Sequence, residues 1–233
     1  MVHYRIDATK KRKTIMDGGK QTDWTRYYRT SFVTAHLLRR ITSGRLLAAL
    51  KRAGFVPEAG FAVELGGGGS SFAARLVRCF RFREYGVIDT NDEGLRRFLD
   101  LNLPCLSRVE KKSVLDEKLP DWQADLVFSA GLIEHFSPVG TAQAVRAHFA
   151  LAKPGGTVAI LFPENTALYR FVRRILEHLG LWSFPDERPL SLDEVIRAAG
   201  CDPCVSEGIR IILLTQRLLV FRRINEADER CFA

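Results

Sequence analysis

Between residues 61 and 162, short apolar runs alternate with stretches of helical periodicity. The runs cover 61–65, 85–89, 105–109, 124–129 and 157–162. Between them, Phe72, Ala73, Leu76, Val77 and Phe80 mark one helix face within 70–82, and Leu95, Phe98 and Leu99 mark another within 92–101; 139–151 is a third helix. Apolar runs of four to six residues without polar alternation are strands buried on both faces, and alternation with helices makes them parallel. Two further runs, 211–214 and 218–221, are separated by Thr215-Gln216-Arg217, a spacing that allows an antiparallel hairpin within a strand pair spanning about 204–223. The pattern predicts an α/β, Rossmann-like, doubly wound and mostly parallel seven-stranded sheet with helices on both faces.

The flanks are different. Residues 22–52 carry Trp24, Tyr27, Tyr28, Phe32, Leu37, Leu38, Leu46, Leu47 and Leu50 at near-helical spacing, and Gly54 and Pro57 close this part. It is expected as a small N-terminal helical cap over 1–57, with the main domain over 58–233. Through Arg52 there are 13 Lys/Arg against 3 Asp/Glu, and beyond it 22 against 24, so the +8 formal charge belongs to the N-terminal segment. A basic appendage attracts phosphates, at a membrane surface or on a substrate, although a solvated helical face explains it as well. With 46 % hydrophobic residues in 233, the chain is long and apolar enough for a core without metal or disulfide. The five cysteines include one CxxC, Cys201 to Cys204, with no second pair for a zinc site, so no metal is expected and the thiols suit a reducing cytoplasm. No apolar run approaches the ~18 residues of a transmembrane helix, and residues 1–13 lack a secretory pattern. The expected localisation is cytoplasmic.

Glu64-Leu65-Gly66-Gly67-Gly68-Gly69-Ser70 joins the first run to the first helix. Four consecutive glycines cost backbone entropy, which points to something approaching the backbone closely; a tight strand-to-helix turn is the plainer alternative. In a doubly wound sheet this turn lies over the carboxyl ends of the strands, where ligands bind. Asp89 ends the second run, 23 residues after Gly66. A carboxylate there suits a ribose diol, or the cap of the next helix together with Asn91. A dinucleotide fold and a nucleoside-binding methyltransferase fold both fit. The dinucleotide pattern G-x-G-x-x-G would need a glycine at Ser71. Glu64 would repel a pyrophosphate and suit an ammonium or sulfonium.

The fourth run continues Ala124-Asp125-Leu126-Val127-Phe128-Ser129-Ala130-Gly131-Leu132-Ile133-Glu134-His135, and Lys153-Pro154-Gly155-Gly156 precedes the fifth. With the acidic residue and glycine loop at 64–70 and Asp89, these motifs resemble, over about 61–162, the class I S-adenosylmethionine-dependent methyltransferases. Ser70 stands where that family has its third glycine. The resemblance implies an enzyme that transfers a methyl group from S-adenosylmethionine by direct displacement. It implies cofactor contacts at Glu64, Gly66, Gly67, Gly68, Asp89, Thr90, Val114, Leu115, Asp116, Ser129 and Ala130, with Asp116 the polar group near the adenine and Val114 and Leu115 its apolar walls. His135 is the candidate general base, because imidazole titrates near neutrality; Glu134 is expected to bond to backbone. His3, His36, His148 and His178 are expected to be structural.

Acceptor choice is expected to come from the N-terminal cap and from a helical insert over about 164–199. Leu168, Phe171, Val172, Ile175 and Leu179 share a face there, with Arg170, Arg173, Arg174 and Glu177 elsewhere. A helix packed on its own domain is the commoner reading, and a helix lying on a membrane or an apolar substrate the other. The segment of Trp182, Phe184, Pro185 and Arg188 is a candidate lid. The acceptor is expected to be a small molecule or a glycan- or lipid-linked metabolite rather than nucleic acid, because the end of the fourth run lacks the N/D-P-P-Y/F signature. A nicotinamide-dependent oxidoreductase and a non-catalytic binding module are the competing functions.

Overall fold

The computed structural model describes residues 3–5, 21–29, 33–57, 59–211 and 214–224. Its strands are β1 His3–Arg5, β2 Phe61–Leu65, β3 Glu84–Asp89, β4 Leu106–Lys111, β5 Ala124–Ala130, β6 Ala152–Pro163, β7 Val205–Ile211 and β8 Leu214–Arg222. They form one sheet in the order β1-β4-β3-β2-β5-β6-β8-β7. Every pairing is parallel except β6 with β8 and β7 with β8. The expected doubly wound sheet is present, with an eighth strand at its edge. That strand, β1, pairs His3–Arg5 with Arg108–Glu110. Three residues in a basic segment carry no apolar run of their own, so only the partner's free edge reveals them. Of the basic segment expected to meet phosphates, residues 1–2, 6–20 and 30–32 lie outside the described residues.

Alternate residues of each strand enter opposite layers, which is why the runs are apolar throughout. Ala62, Tyr85, Val87, Leu126 and Phe128 pack with Leu46 and Leu50 of α2 (Val33–Arg52), Leu76 and Val77 of α3 (Ala73–Phe80) and Leu95 and Phe98 of α4 (Asp92–Leu99). Val63, Leu65, Ile88, Val127, Val158 and Ile160 pack with Ala144 and Val145 of α5 (Pro138–Leu151) and Val195 of α7 (Leu192–Ala199). Burying one such side chain contributes about 1.5–3 kcal/mol. Leu46 and Leu50 are therefore a sizeable anchor, and α2 shares the core of the sheet. The other part of the expected cap is α1 (Trp24–Arg29), a short helix with no buried residue.

Capping follows the sequence. Asn91 accepts from the Gly94 amide to start α4, Ser137 from Gly140 to start α5, and Ser191 from Glu194 to start α7. A C-terminal antiparallel pair forms, but not from the two apolar runs: Thr215-Gln216-Arg217, expected to separate them, lie inside β8, and Leu214–Val220 pairs instead with Val205–Ile211. The insert supplies α6 (Ala167–His178) and α7. α6 packs on its own domain, by a narrower face than its apolar stripe. α6 buries Tyr169 and Val172, while Leu168, Phe171, Ile175 and Leu179 are exposed. A few large side chains on one flank are enough to seat a twelve-residue helix, so its apolar stripe did not have to turn inward.

Candidate functional site

Strand order reverses between β2 and β5, and the cleft outside their carboxyl ends is the place where this architecture binds ligands. Four segments meet there: the turn after β2, the end of β3, the turn after β5, and α1 lying across them.

The turn after β2 is held by its own amides. Gly66 N–H donates to Ile88 O (2.8 Å), Gly69 N–H to Gly94 O (2.8 Å), and Gly68 N–H to Asp89 Oδ2 (2.8 Å). Gly66 has φ +69°, which a side chain would strain. A Cβ on Gly67 would lie 2.6 Å from Glu64 Cγ, and one on Gly68 would lie 2.7 Å from Asp89 Oδ2 and 2.8 Å from Gly94 Cα. What approaches this backbone so closely is thus, first of all, the protein's own Glu64, Asp89 and Gly94. Glu64 is buried beneath the turn. Its Oε2 accepts from Ser70 Oγ (2.5 Å) and from Tyr85 Oη (2.7 Å). Burial pushes its pKa up to about 7 against those two bonds. Ser70 Oγ in turn accepts from the amides of Phe72 (3.1 Å) and Ala73 (3.0 Å). Ser70 Oγ therefore holds the amides that lead into α3, and Glu64 orients it.

Asp89 is 8 % exposed. Its Oδ1 accepts from Asn91 N–H (2.8 Å), and its Oδ2 accepts from Gly68 N–H and from the Tyr28 phenol (2.9 Å). Burial raises its pKa, opposed by these bonds. The Tyr28 ring lies against the glycines: Cβ atoms on Gly94 and Gly69 would stand 2.6 and 3.4 Å from it. Burial and the charge of Asp89 hold the Tyr28 hydroxyl protonated. Thr90 is exposed beside Asp89. Val114 is buried and Leu115 half-buried on the α5 side of the sheet. Asp116 is exposed, and its Oδ2 accepts from Ser113 N–H (3.0 Å) in a local turn.

At the end of β5, Ser129 is fully buried, with its hydroxyl on His148 Nε2 (2.8 Å). His148 Nδ1–H donates to Ala144 O (2.7 Å), and desolvation pushes its pKa down to about 4. The Ser129 side chain thus points into the β5–α5 layer, which leaves Ala130 and Gly131 to face the cleft with their backbone. Glu134 sits in the turn Ile133–His135, is 2 % exposed, and its Oε2 has no partner. Its Oε1 is 3.5 Å from where a Cβ on Gly131 would stand. Burial pushes its pKa up to about 8.

His135 faces the insert. Its Nδ1 lies 3.2 Å from Asp186 Oδ1, and its ring stands edge-on to Trp24, centroids 4.8 Å apart. Burial favours the neutral ring, but the hydrogen bond to Asp186 and the charges of Glu134, Asp186 and Glu187 outweigh it and raise its pKa. The same contacts hold Asp186 down to about 2 against its burial. Thr22 donates to Asp186, and Phe184 packs on Trp24 and Tyr27. The segment expected as a lid does reach the site, and it does so by closing against α1. Asp186, Tyr28 and Trp24 are the residues that sequence reasoning did not name for this site, whereas Glu134 was expected beside it, bonded to backbone. The signal available for them was the aromatic spacing at Trp24, Tyr27 and Tyr28, which carried no indication of what the rings cover.

No family model matches the chain, and no curated protein matches it in sequence. Solved structures do match. Magnesium protoporphyrin IX methyltransferase from Synechocystis PCC 6803, with bound S-adenosylhomocysteine, superposes with a TM-score of 0.67 at 14 % identity over 86 % of this chain and 92 % of that one. The N-methyltransferase NodS from Bradyrhizobium japonicum WM9 gives 0.59 at 16 %, over 79 % and 86 %. A 1,6-didemethyltoxoflavin-N1-methyltransferase from Burkholderia thailandensis gives 0.61 at 16 %, over 82 % and 80 %. The fold is that of the class I S-adenosylmethionine-dependent methyltransferases.

Proposed function

We propose that this protein is an S-adenosylmethionine-dependent methyltransferase acting on a small-molecule acceptor. The observation that carries this reading is the junction of the glycine turn with Asp89 at the point where strand order reverses. It unites a backbone cradle and a ribose-accepting carboxylate in one place. The orphaned Oε2 of Glu134 adds a buried acceptor at the end of β5, suited to a cationic ligand. A dinucleotide fits less well: Ser70 Oγ already takes the first amides of α3, which a pyrophosphate would need.

In this reading Asp89 accepts the ribose hydroxyls after the Tyr28 phenol turns aside, and Gly66, Gly67 and Gly68 leave room at the backbone. Thr90, Val114, Leu115 and Asp116 border the base, and the backbone of Ser129 and Ala130 with the Glu134 carboxylate borders the methionine end. Glu64 acts through Ser70, as the prop beneath the turn. When bound, S-adenosylmethionine supplies a methyl group already activated on a sulfonium. The protein then has to position, exclude water and move one proton. Asp186 takes the Nδ1–H of His135, so Nε2 is the atom left to receive a proton from an acceptor O–H or N–H. Trp24, Tyr27 and Phe184 shield that atom from water. A glycan- or lipid-linked metabolite is the narrower reading of the acceptor, supported by the apolar side chains of the insert, and the free thiols accord with a cytoplasmic setting.

Calorimetry with S-adenosylhomocysteine and with NAD tests the cofactor. We expect binding of the first and none of the second; the reverse result would overturn the reading. Labelled methyl donor and fractionated cell extract then find the acceptor.

A further inference from the structure

Ten large hydrophobic side chains are exposed among the described residues, and half of them belong to one short stretch. Leu168 (38 %), Phe171 (64 %), Ile175 (43 %), Leu179 (60 %) and Leu181 (66 %) are exposed on α6 and just beyond it. The first four recur at steps of three, four and four, so they form one continuous row along about 18 Å of helix. The opposite flank is what holds α6 to the domain: Tyr169 and Val172 are buried, and Arg173 is tied to Glu177, to the Trp182 ring and to Glu187 O.

The charge beside the row has one sign. Arg170, Arg174 and His178 are exposed along its outer edge. The only acid of α6, Glu177, is paired with Arg173. Arg170 meets only the neutral Asn165 amide (3.0 Å). An apolar row edged by cations fits a surface that is apolar inside and anionic outside. A second copy of the chain fits poorly, because face-to-face packing would bring the same cations together.

We infer that α6 is a docking helix for an anionic lipid surface, seating Phe171, Ile175 and Leu179 at the headgroup boundary with Arg170 and Arg174 against lipid phosphates. This rests on the exposed face alone and is independent of the methyl-transfer reading.

The full chain is sedimented with vesicles of phosphatidylcholine, with or without one third phosphatidylglycerol, at physiological ionic strength. Wild type should partition onto the anionic vesicles at least ~10-fold more strongly than onto the neutral ones. Phe171→Ser with Leu179→Ser should lose about 10-fold or more of that partition through the lost apolar burial. Arg170→Gln with Arg174→Gln should lose roughly 5-fold, and the loss should shrink in high salt. Val56→Ser, at an exposed apolar residue elsewhere, should change nothing. All these side chains are exposed, and an unchanged melting temperature verifies folding. Absence of vesicle binding by wild type overturns the inference, as does undiminished binding by the Phe171/Leu179 variant, which would assign the lipid contact to another segment. A wild-type dimer in light scattering that this variant converts to monomer overturns it in favour of a second copy.

Discussion

On the β2–β3 side of the cleft, the glycine turn meets Asp89 across 21 residues of sequence, and its backbone partners lie on β3 and on α4 just after it. On the β5 side, His135 meets Asp186 and Trp24 only because three remote segments converge; Thr22 and Asp186 are 164 residues apart. The first side is rigid, with backbone amides filling most of the available acceptors. The second is made of side chains, rings and one orphaned carboxylate. The first side presents mainly backbone to the cleft and the second mainly side chains. Function commonly sits on such side-chain-built segments carried by a rigid frame.

That contrast can be broken most forcefully at Gly68. Valine there would drive its Cβ into Asp89 and the Gly94 backbone, so affinity for S-adenosylhomocysteine should fall ~100-fold or more, and the melting temperature with it. Retained affinity in calorimetry would mean that the turn does not form the cofactor site. Asp89→Ala is expected to weaken the same binding by about 1–3 kcal/mol, from the lost charge-assisted bonds. Affinity equal to wild type would remove the ribose role.

On the other side, Asp186→Asn should leave cofactor affinity within about two-fold and lower turnover by roughly ten-fold, because the base loses its orienting partner. The sign of its pH effect is fixed. His135 carries a pKa raised above its ordinary value, and a base must be neutral to act. Activity should therefore fall as pH drops through that raised value. Removing Asp186 takes away the main contribution raising it, so the acid limb of kcat/KM should move to lower pH. A limb that stays in place would assign the titration to another group, such as Glu134. The smallest effect is expected at Tyr28, the one residue of α1 that bonds to Asp89. Tyr28→Phe removes one of the two donors on Asp89 Oδ2, leaving Gly68 N–H, and should tighten S-adenosylhomocysteine binding about 3–10-fold. Weaker binding would make Tyr28 a part of the bound site rather than its competitor.

The order of strands and helices, the loop at 64–70 and the position of Asp89 were legible because each depends on neighbours along the chain. Strand runs and helix stripes repeat every two or about 3.6 residues, and a glycine run marks a backbone constraint wherever it falls. Their roles were less legible. Ser70 reads as a lost glycine, and its hydroxyl holds the amides of Phe72 and Ala73. Glu64 reads as a ligand contact, and its carboxyl group accepts from Ser70 and Tyr85 beneath the turn. Ser129 lies at the end of the right strand with its side chain committed to His148. Each depends on which side of the backbone a side chain takes once the layers close.

From its amino-acid order alone, then, this chain set the alternating architecture, the glycine turn with Asp89 at the strand ends, and the amphipathic character of 167–178. Only tertiary packing decided that Tyr28 rests on Asp89, that Asp186 holds His135, and that the apolar row of α6 turns outward. The physical reason is range: propensity and periodicity act over a few residues. Which surfaces are covered, and which carboxylate finds a partner, is settled by contacts between segments that the sequence keeps far apart.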